Sequence, residues 1–345
     1  MSELLLTYIV PVYNTERYLT KCLSSIVAQG LGDDEYEVLV VDDGSTDGSD
    51  AAVEAFASTH PQVRLFKQQN QGVSAARNHA LDQARGRYVQ FVDSDDYLED
   101  GVMASLLHRA IDERLDVLLF NYKSVDVQGT PVPSSKRGDQ YSSTPVMTGV
   151  DYLSGHAMTP YIWRFLIRRS FFDKGCAYLG DARGWRFDTS LIVCEDGALI
   201  ARFMLAADRV AHDGTAAYCY VNRSDSAMHN TAVEHVRRRL FSQVDAAATI
   251  AAAIRQQTRQ KGTTGLASVA GLRNVYLFFA MTKALTTGCV DDVLQRIRQA
   301  GLYPFPCVGP EANYYGKKWK VIHTLMMHPR LWKYLSKIYH LIKKQ

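Results

Sequence analysis

The residues with the most chemical content are Asp93-Ser94-Asp95-Asp96, three carboxylates in four positions directly after the apolar run 88–92. Carboxylates this close repel, and each resists ionising beside the others. A hard divalent cation removes that conflict, and it takes oxygen ligands that commonly include phosphate, so the cluster points to a metal-bound phosphate ester. The same spacing also suits an Asp-rich turn capping a helix that starts near Leu98, since Asp is a favoured N-cap residue. The cluster by itself leaves both readings open. Three other groups share this ambiguity. Asp42-Asp43-Gly44-Ser45 reads as a capped turn, Arg77-Asn78 as a surface helix pair, and Glu195-Asp196 as a solvated helical face, unless something assembles them.

The elements around them set the constraint. Over the first 120 residues apolar runs alternate with helical spacings. Strands are expected at 5–13, 36–41, 63–66, 87–92 and 117–122, and helices at 16–29, about 47–58, 73–85 and 102–113. Asp47 or Ser49 can cap the second of these helices. Such alternation predicts an α/β fold with a mostly parallel sheet flanked by helices. Ligands of these sheets bind beyond the carboxyl ends of the strands, where Tyr13, Asp43 and Asp93 fall. The stretch 128–148, rich in Gly, Pro, Ser and Thr, reads as an excursion or hairpin. A helix is expected over 193–205 and a strand over 216–221. Beyond 230 the alanine-rich sequence turns helical. This divides the chain into a domain at 1–230 and a helical C-terminal region at 231–345.

Composition narrows the class. With 345 residues and 47% hydrophobic content the chain can bury a large core. Its six cysteines form no Cys-x-x-Cys pair and no zinc-finger spacing, which fits a reduced, cytoplasmic protein. The start of the chain lacks a signal-peptide pattern, and no stretch of about 18 apolar residues runs unbroken. The nearest candidate, 266–285, is interrupted by Arg273, Asn274 and Lys283. The net charge of +3 is uneven: the residues after Glu311 hold eight lysines and arginines and no acid, leaving −5 for the first 311. Within that tail (about 312–345), Leu331, Leu335, Ile338 and Ile342 share one side of a helix while Arg330, Lys333, Lys337 and Lys344 lie opposite. A basic amphipathic helix with Trp332, Tyr334 and Tyr339 at its flanks suits an anionic membrane surface, approached through 316–345. An ordinary surface helix packed on the body is the other reading. A nucleic-acid role is not expected, because the basic residues are confined to a Leu/Ile-rich tail on an acidic body.

Order and spacing join the weak motifs. Pro11-Val12-Tyr13-Asn14, Val41-Asp42-Asp43-Gly44-Ser45-Thr46-Asp47, 70–78 with Arg77-Asn78, Phe91-Val92-Asp93-Ser94-Asp95-Asp96 and Cys194-Glu195-Asp196 resemble the inverting family 2 glycosyltransferases of GT-A fold, in particular those of bacterial surface polysaccharide and lipopolysaccharide assembly. The likeness is specific over residues 5–115 and looser through Trp163 and the 218–226 segment. It implies a GT-A, Rossmann-like sheet and a UDP-sugar donor. In that likeness Pro11 and Tyr13 line the donor site, with Tyr13 against the uracil ring. Asp43 accepts the uracil imide N–H and Asp42 orients its loop. Arg77 approaches the base or diphosphate, Asp93 the ribose, and Asp95 binds the Mg²⁺ or Mn²⁺ on the diphosphate. Asp96 supports the cluster or caps a helix. Asp196 is implied as the base that deprotonates the acceptor hydroxyl, with Glu195 and Trp163 at the acceptor side. Family members often carry a Lys soon after the Trp; here Arg164, Arg168 and Arg169 are the nearby cations. The implied acceptor is a glycan or glycolipid, and the implied location the inner face of the cytoplasmic membrane. A sugar nucleotidyltransferase would need a Gly-rich loop where Tyr13-Asn14-Thr15-Glu16-Arg17 stands. A non-catalytic nucleotide-sugar-binding module would be expected to lack one of the acids.

Overall fold

The computed structural model describes residues 4–132, 140–179, 184–223 and 233–303, with 328, 330–332 and 334–336 of the tail. The first half alternates as the periodicity predicts: β1 (Leu6–Val12), α1 (Glu16–Val27), β2 (Tyr36–Asp42), α2 (Ser49–Ala57), β3 (Val63–Lys67), α3 (Val73–Gln83) and β4 (Tyr88–Phe91). Then follow β5 (Tyr97–Leu98), α4 (Met103–Asp112), β6 (Val117–Val125), α5 (Gly149–Gly155), β7 (Phe165–Arg168), α6 (Arg169–Leu179), α7 (Glu195–Ala206) and β8 (Val210–Val221). The chain continues as three helices, α8 (Val233–Lys261), α9 (Leu266–Thr287) and α10 (Val290–Gln299).

Eight strands form one sheet in the order β3-β2-β1-β4-β7-β6-β8-β5. Strands β1 to β4 are parallel, as are β6 and β8, while β7 runs antiparallel to both β4 and β6. Both β1 and β2 are buried along their whole length, which is why 8–12 and 38–41 read as continuous apolar runs instead of alternating ones. Leu19, Leu23 and Ile26 of α1 and Leu106, Leu107 and Ala110 of α4 pack with Tyr8, Val10, Val38 and Phe120 in the core under the sheet. The two antiparallel strands β5 and β7 were not expected. β5 is too short for a periodic signal, and β7 follows directly on a 3-10 turn at Ile162–Arg164.

The helix expected near Leu98 is absent. Residues 97 and 98 pair with Cys219 and Tyr218 of β8, and α4 begins only after Val102. Asp96 therefore caps no helix. Asp47 does serve α2, accepting the Ser49 N–H (3.0 Å) and hydroxyl (2.5 Å).

By contacts the chain forms two compact units. The first comprises 1–149, 161–189 and 206–226 and contains the whole sheet. The second comprises 150–160, 190–205 and 227–345, so it takes in two segments that precede residue 230. Among the described residues no helix is long and apolar enough to cross a membrane. Most of the basic tail lies outside the described residues. Where it is described, Trp332 and Ser336 are buried, the Ser336 hydroxyl donates to the Leu285 carbonyl (3.1 Å), and Leu331 stays exposed. The packed side thus runs through 332 and 336, one position on from the expected Leu331–Leu335 stripe.

Candidate active site

The carboxyl ends of β1, β2 and β4 bring the first group of motifs together. Pro11 lies within β1 opposite Val41, and Tyr13 emerges just beyond the strand, half exposed. The loops after β1 and β2 are stitched by Asn14, which takes the left-handed conformation (φ 53°) that Asn tolerates better than most residues. Its N–H donates to the Ser45 hydroxyl (3.0 Å), and its side-chain carbonyl accepts the Thr46 N–H (2.8 Å). Asp42 closes β2 and accepts the Ser45 N–H (3.2 Å).

Asp43 is buried and organises the entry to α3. Oδ1 accepts from Gln68 Nε2 (2.8 Å) and the Gln71 N–H (2.9 Å), and Oδ2 from the Gly72 N–H (2.8 Å). A carboxylate offers about four lone-pair sites, so counting donors among the described residues one on Oδ2 is left for an incoming donor. Gly72 has φ 90°, a conformation that favours glycine, and it turns the chain into α3. That helix carries Arg77, whose buried guanidinium donates to Asp93 Oδ1 (2.8 Å) and lies over the Phe187 ring. Asn78 beside it makes a reciprocal pair with the Phe187 backbone, at 2.9 and 3.0 Å. Arg77 thus holds Asp93 in place, a role its position in the sequence did not reveal.

The acid cluster separates into three environments. Asp93 is partly exposed and paired with Arg77. Asp95 is mostly buried and ion-paired with Arg223. Burial raises its pKa, the charge of Asp93 adds to that, and Arg223 offsets part of both. Asp96 is fully buried, and burial, followed by the charges of Asp95 and Asp93, pushes its pKa well above the usual carboxylate range. It accepts the Tyr218 hydroxyl (2.9 Å) and the Val221 N–H (2.7 Å), and the same hydroxyl accepts the Asp93 N–H (3.0 Å). Asp96 therefore supports the cluster by fastening it to β8. Trp163 stacks on Tyr218 (ring centroids 4.3 Å apart), in line with Tyr220 (5.9 Å) and Tyr161 (5.2 Å). Its contact with the cluster runs through Tyr218.

The cations sort differently from their sequence order. Arg164 is interior, donating to the Phe120 carbonyl (3.1 Å) and lying over the Tyr122 ring. Arg168 pairs across the sheet with Tyr88, at the amino end of β4, far from Asp93 and Asp95 at the other end. Besides Arg77 on Asp93, the cation at the cluster is Arg223 on Asp95, two residues past β8. Its place in the 218–226 segment was the available signal, but nothing in the spacing singled it out. Among the described residues no three His, Cys, Asp or Glu side chains converge to hold a metal ion. An ion at Asp95 would need further oxygens from its substrate.

Glu195 and Asp196 belong to the second unit, in the first turn of α7. The preceding Cys194 has φ 66°, which is uncommon for a residue other than glycine and stores roughly 1–3 kcal/mol of strain. Its thiol is partly buried, and its pKa is pushed up by desolvation and by the Glu195 charge, against a hydrogen bond with Tyr276. A Cβ at Gly197 would come within 2.0 Å of the Tyr276 hydroxyl oxygen, so any larger residue there forces Tyr276 to move.

This sheet, with its acids at the carboxyl ends of β2 and β4, defines a GT-A-like nucleotide-sugar fold. The profile of glycosyl transferase family 2 matches residues 7–176, and the chain belongs to that family. Among its relatives is GlyG of Streptococcus pneumoniae serotype 4 (strain ATCC BAA-334 / TIGR4), a glycosyltransferase 30% identical over 247 residues, covering 66% of this chain and 74% of GlyG. EpsJ of Bacillus subtilis (strain 168), an uncharacterised glycosyltransferase, is 30% identical over 224 residues. That match covers 64% of this chain, which thus spans less than two thirds (62%) of EpsJ. The crystal structure of S. aureus TarS residues 1–349 in complex with UDP aligns over 98% of this chain and 91% of TarS 1–349, with 21% identity and a TM-score of 0.56. That likeness extends the shared fold through the helical C-terminal part.

Proposed function

We propose that the chain transfers one sugar from a UDP-sugar to a hydroxyl of a glycan or lipid-linked acceptor, with inversion at the anomeric carbon. The observation that carries this reading is the joint placement of Asp43, Asp93 and Asp95 at the carboxyl ends of β2 and β4, with Arg77 fixing Asp93. The UDP and UDP-GlcNAc complexes of TarS support a uridine donor by analogy. In this reading residues 1–230 carry the transfer chemistry and 231–345 form a helical extension.

The roles follow from chemistry. Pro11 and Tyr13 offer a floor and an exposed ring for the uracil face. Asp43 has one acceptor site left, on Oδ2, which suits the uracil imide N–H, while Asp42 holds the Gly44 turn. Asp93, held by Arg77, faces the ribose. Asp95 suits Mg²⁺ or Mn²⁺: its oxygens are hard ligands, and burial beside Asp93 leaves it in need of a cation, a need Arg223 now meets. When bound, such an ion would neutralise charge on the departing UDP. Asp196 takes the proton from the acceptor hydroxyl as it attacks, and Glu195 and Trp163 support the acceptor side. The +8 tail supports peripheral attachment to the inner face of the cytoplasmic membrane, as in surface-polysaccharide or lipopolysaccharide assembly.

The test is UDP release from UDP-sugars with candidate acceptors. Asp95→Ala should abolish the metal-dependent part of donor binding. Asp196→Asn should leave donor binding intact while turnover collapses; retained turnover removes Asp196 as the base. Donor binding without turnover on any acceptor would favour a binding module. For the tail, replacing Lys337, Lys343 and Lys344 by Gln should weaken co-sedimentation with anionic vesicles.

A further inference from the structure

The amino-terminal edge of the sheet carries a second charged site. Arg85 and Arg87 precede β4, Arg114 precedes β6, Arg168 ends β7 and Arg169 opens α6; together with Ser170 they line a cleft of about 360 Å³. The antiparallel insertion of β7 brings them together. Arg168 lies opposite Tyr88, the Arg169 N–H donates to the Arg87 carbonyl (2.9 Å), and the Arg168 N–H to the Asp116 carbonyl (2.9 Å).

The charges in this cleft are poorly balanced. Among the described residues no carboxylate lines it. Glu37 is taken by Arg85 (2.7 Å), and Asp116 lies 3.8 Å from Arg168 Nη1 while its Oδ2 accepts the N–H groups of Asp208 and Arg209. Arg87 and Arg114 make no side-chain hydrogen bond or ion pair among the described residues. Arg168 Nη2 is buried and makes no well-formed hydrogen bond among them, although the Tyr88 hydroxyl lies close enough to feel this guanidinium. Meanwhile Arg168 Nε donates to the Leu115 carbonyl and Arg169 Nε to the Gly86 carbonyl, both at 2.9 Å, which anchors the two side chains. The first turn of α6 adds the positive end of a helix dipole.

Clustered guanidiniums repel one another, and a buried N–H without a partner is costly. Their planar forks match the oxygens of a phosphate, which accept two parallel hydrogen bonds from one guanidinium. We propose that this cleft binds a phosphate group, at the opposite edge of the sheet from Asp93 and Asp95 and so separate from the donor site. The phosphate is that of a free anion or of an anionic lipid headgroup.

The test uses the full chain, with inorganic pyrophosphate titrated calorimetrically in the presence of saturating UDP, and in parallel phosphatidylglycerol against phosphatidylcholine vesicles. The variant is R87Q/R114Q, whose two side chains have no hydrogen-bond or ion-pair partner among the described residues to lose. Unchanged circular dichroism and unchanged UDP binding show that it folds. The expected result is at least about tenfold weaker binding of pyrophosphate by the variant. If pyrophosphate does not bind and phosphatidylglycerol vesicles do, in an Arg87- and Arg114-dependent way, the phosphate is a lipid headgroup. The basic tail is the same in both proteins, so that difference reads the cleft alone. The proposal is overturned if wild type binds neither probe, or if the variant binds both as wild type does.

Discussion

Arg223 ion-pairs with Asp95, across 128 residues of sequence, and so a side chain of the protein holds the carboxylate proposed for the metal ion. Both side chains are largely buried, and Asp93 adds a second negative charge beside them. A bound divalent ion and the Arg223 guanidinium would then compete for one carboxylate.

That competition predicts the behaviour of Arg223→Ala. Removing the guanidinium leaves Asp95 uncompensated beside the charge of Asp93, which should cost about 1 kcal/mol or more of stability without metal. It should also tighten binding of Mn²⁺ alone severalfold, measured by calorimetry without donor. Equal or weaker Mn²⁺ binding would separate Arg223 from the metal site.

Tyr218→Phe isolates the hydroxyl that joins Asp96 to the Asp93 N–H. The stack on Trp163 stays, so the loss is two hydrogen bonds, one at the buried Asp96 and one at the partly buried Asp93 N–H, about 1–3 kcal/mol. A urea midpoint that falls with unchanged slope would show it. A shift below about 0.5 kcal/mol would mean that β8 does not fasten the acid cluster through this group.

Gly197→Ala drives a methyl group into the Tyr276 hydroxyl at the start of α7. Overpacking of this kind costs about 1–3 kcal/mol. The double variant with Tyr276→Phe should recover part of the loss in thermal melts, because the clashing oxygen is gone. No recovery would place the strain elsewhere.

The acid limb of the stability curve should depend on Asp213. Burial raises its pKa, but the Thr215 hydroxyl and the Arg109 guanidinium outweigh that and hold it below the usual value. Arg109 Nη1 donates to Asp213 Oδ2 at 2.8 Å, tying β8 to α4. A depressed carboxylate stabilises the fold above its unfolded pKa of about 4 and loses that contribution as the pH falls through the folded value. Asp213→Asn should cost about 1 kcal/mol at pH 7, a difference that shrinks as urea midpoints are followed from pH 7 down to pH 3.

Much of the first 120 residues was legible in the amino-acid sequence. The fully buried β1 and β2 read as apolar runs, α1 and α4 carried helical spacing, and the acids of β2 and β4 fell at strand ends because turns follow strands. Those signals are local, set by periodicity and turn chemistry, and they sufficed for the α/β class and the order of the motifs. What tertiary structure alone decided was which charges meet. The antiparallel β7 between β4 and β6 reverses the chain, which sends Arg168 and Arg169 to the edge opposite the acids and leaves Arg164 inside. Pairing of β5 with β8 decided between the two readings of Asp96, support or helix cap, by making it a buried carboxylate bound to Tyr218, and put Arg223 on Asp95. Partners this far apart along the chain meet only after the sheet has closed, so no spacing in the sequence encodes them.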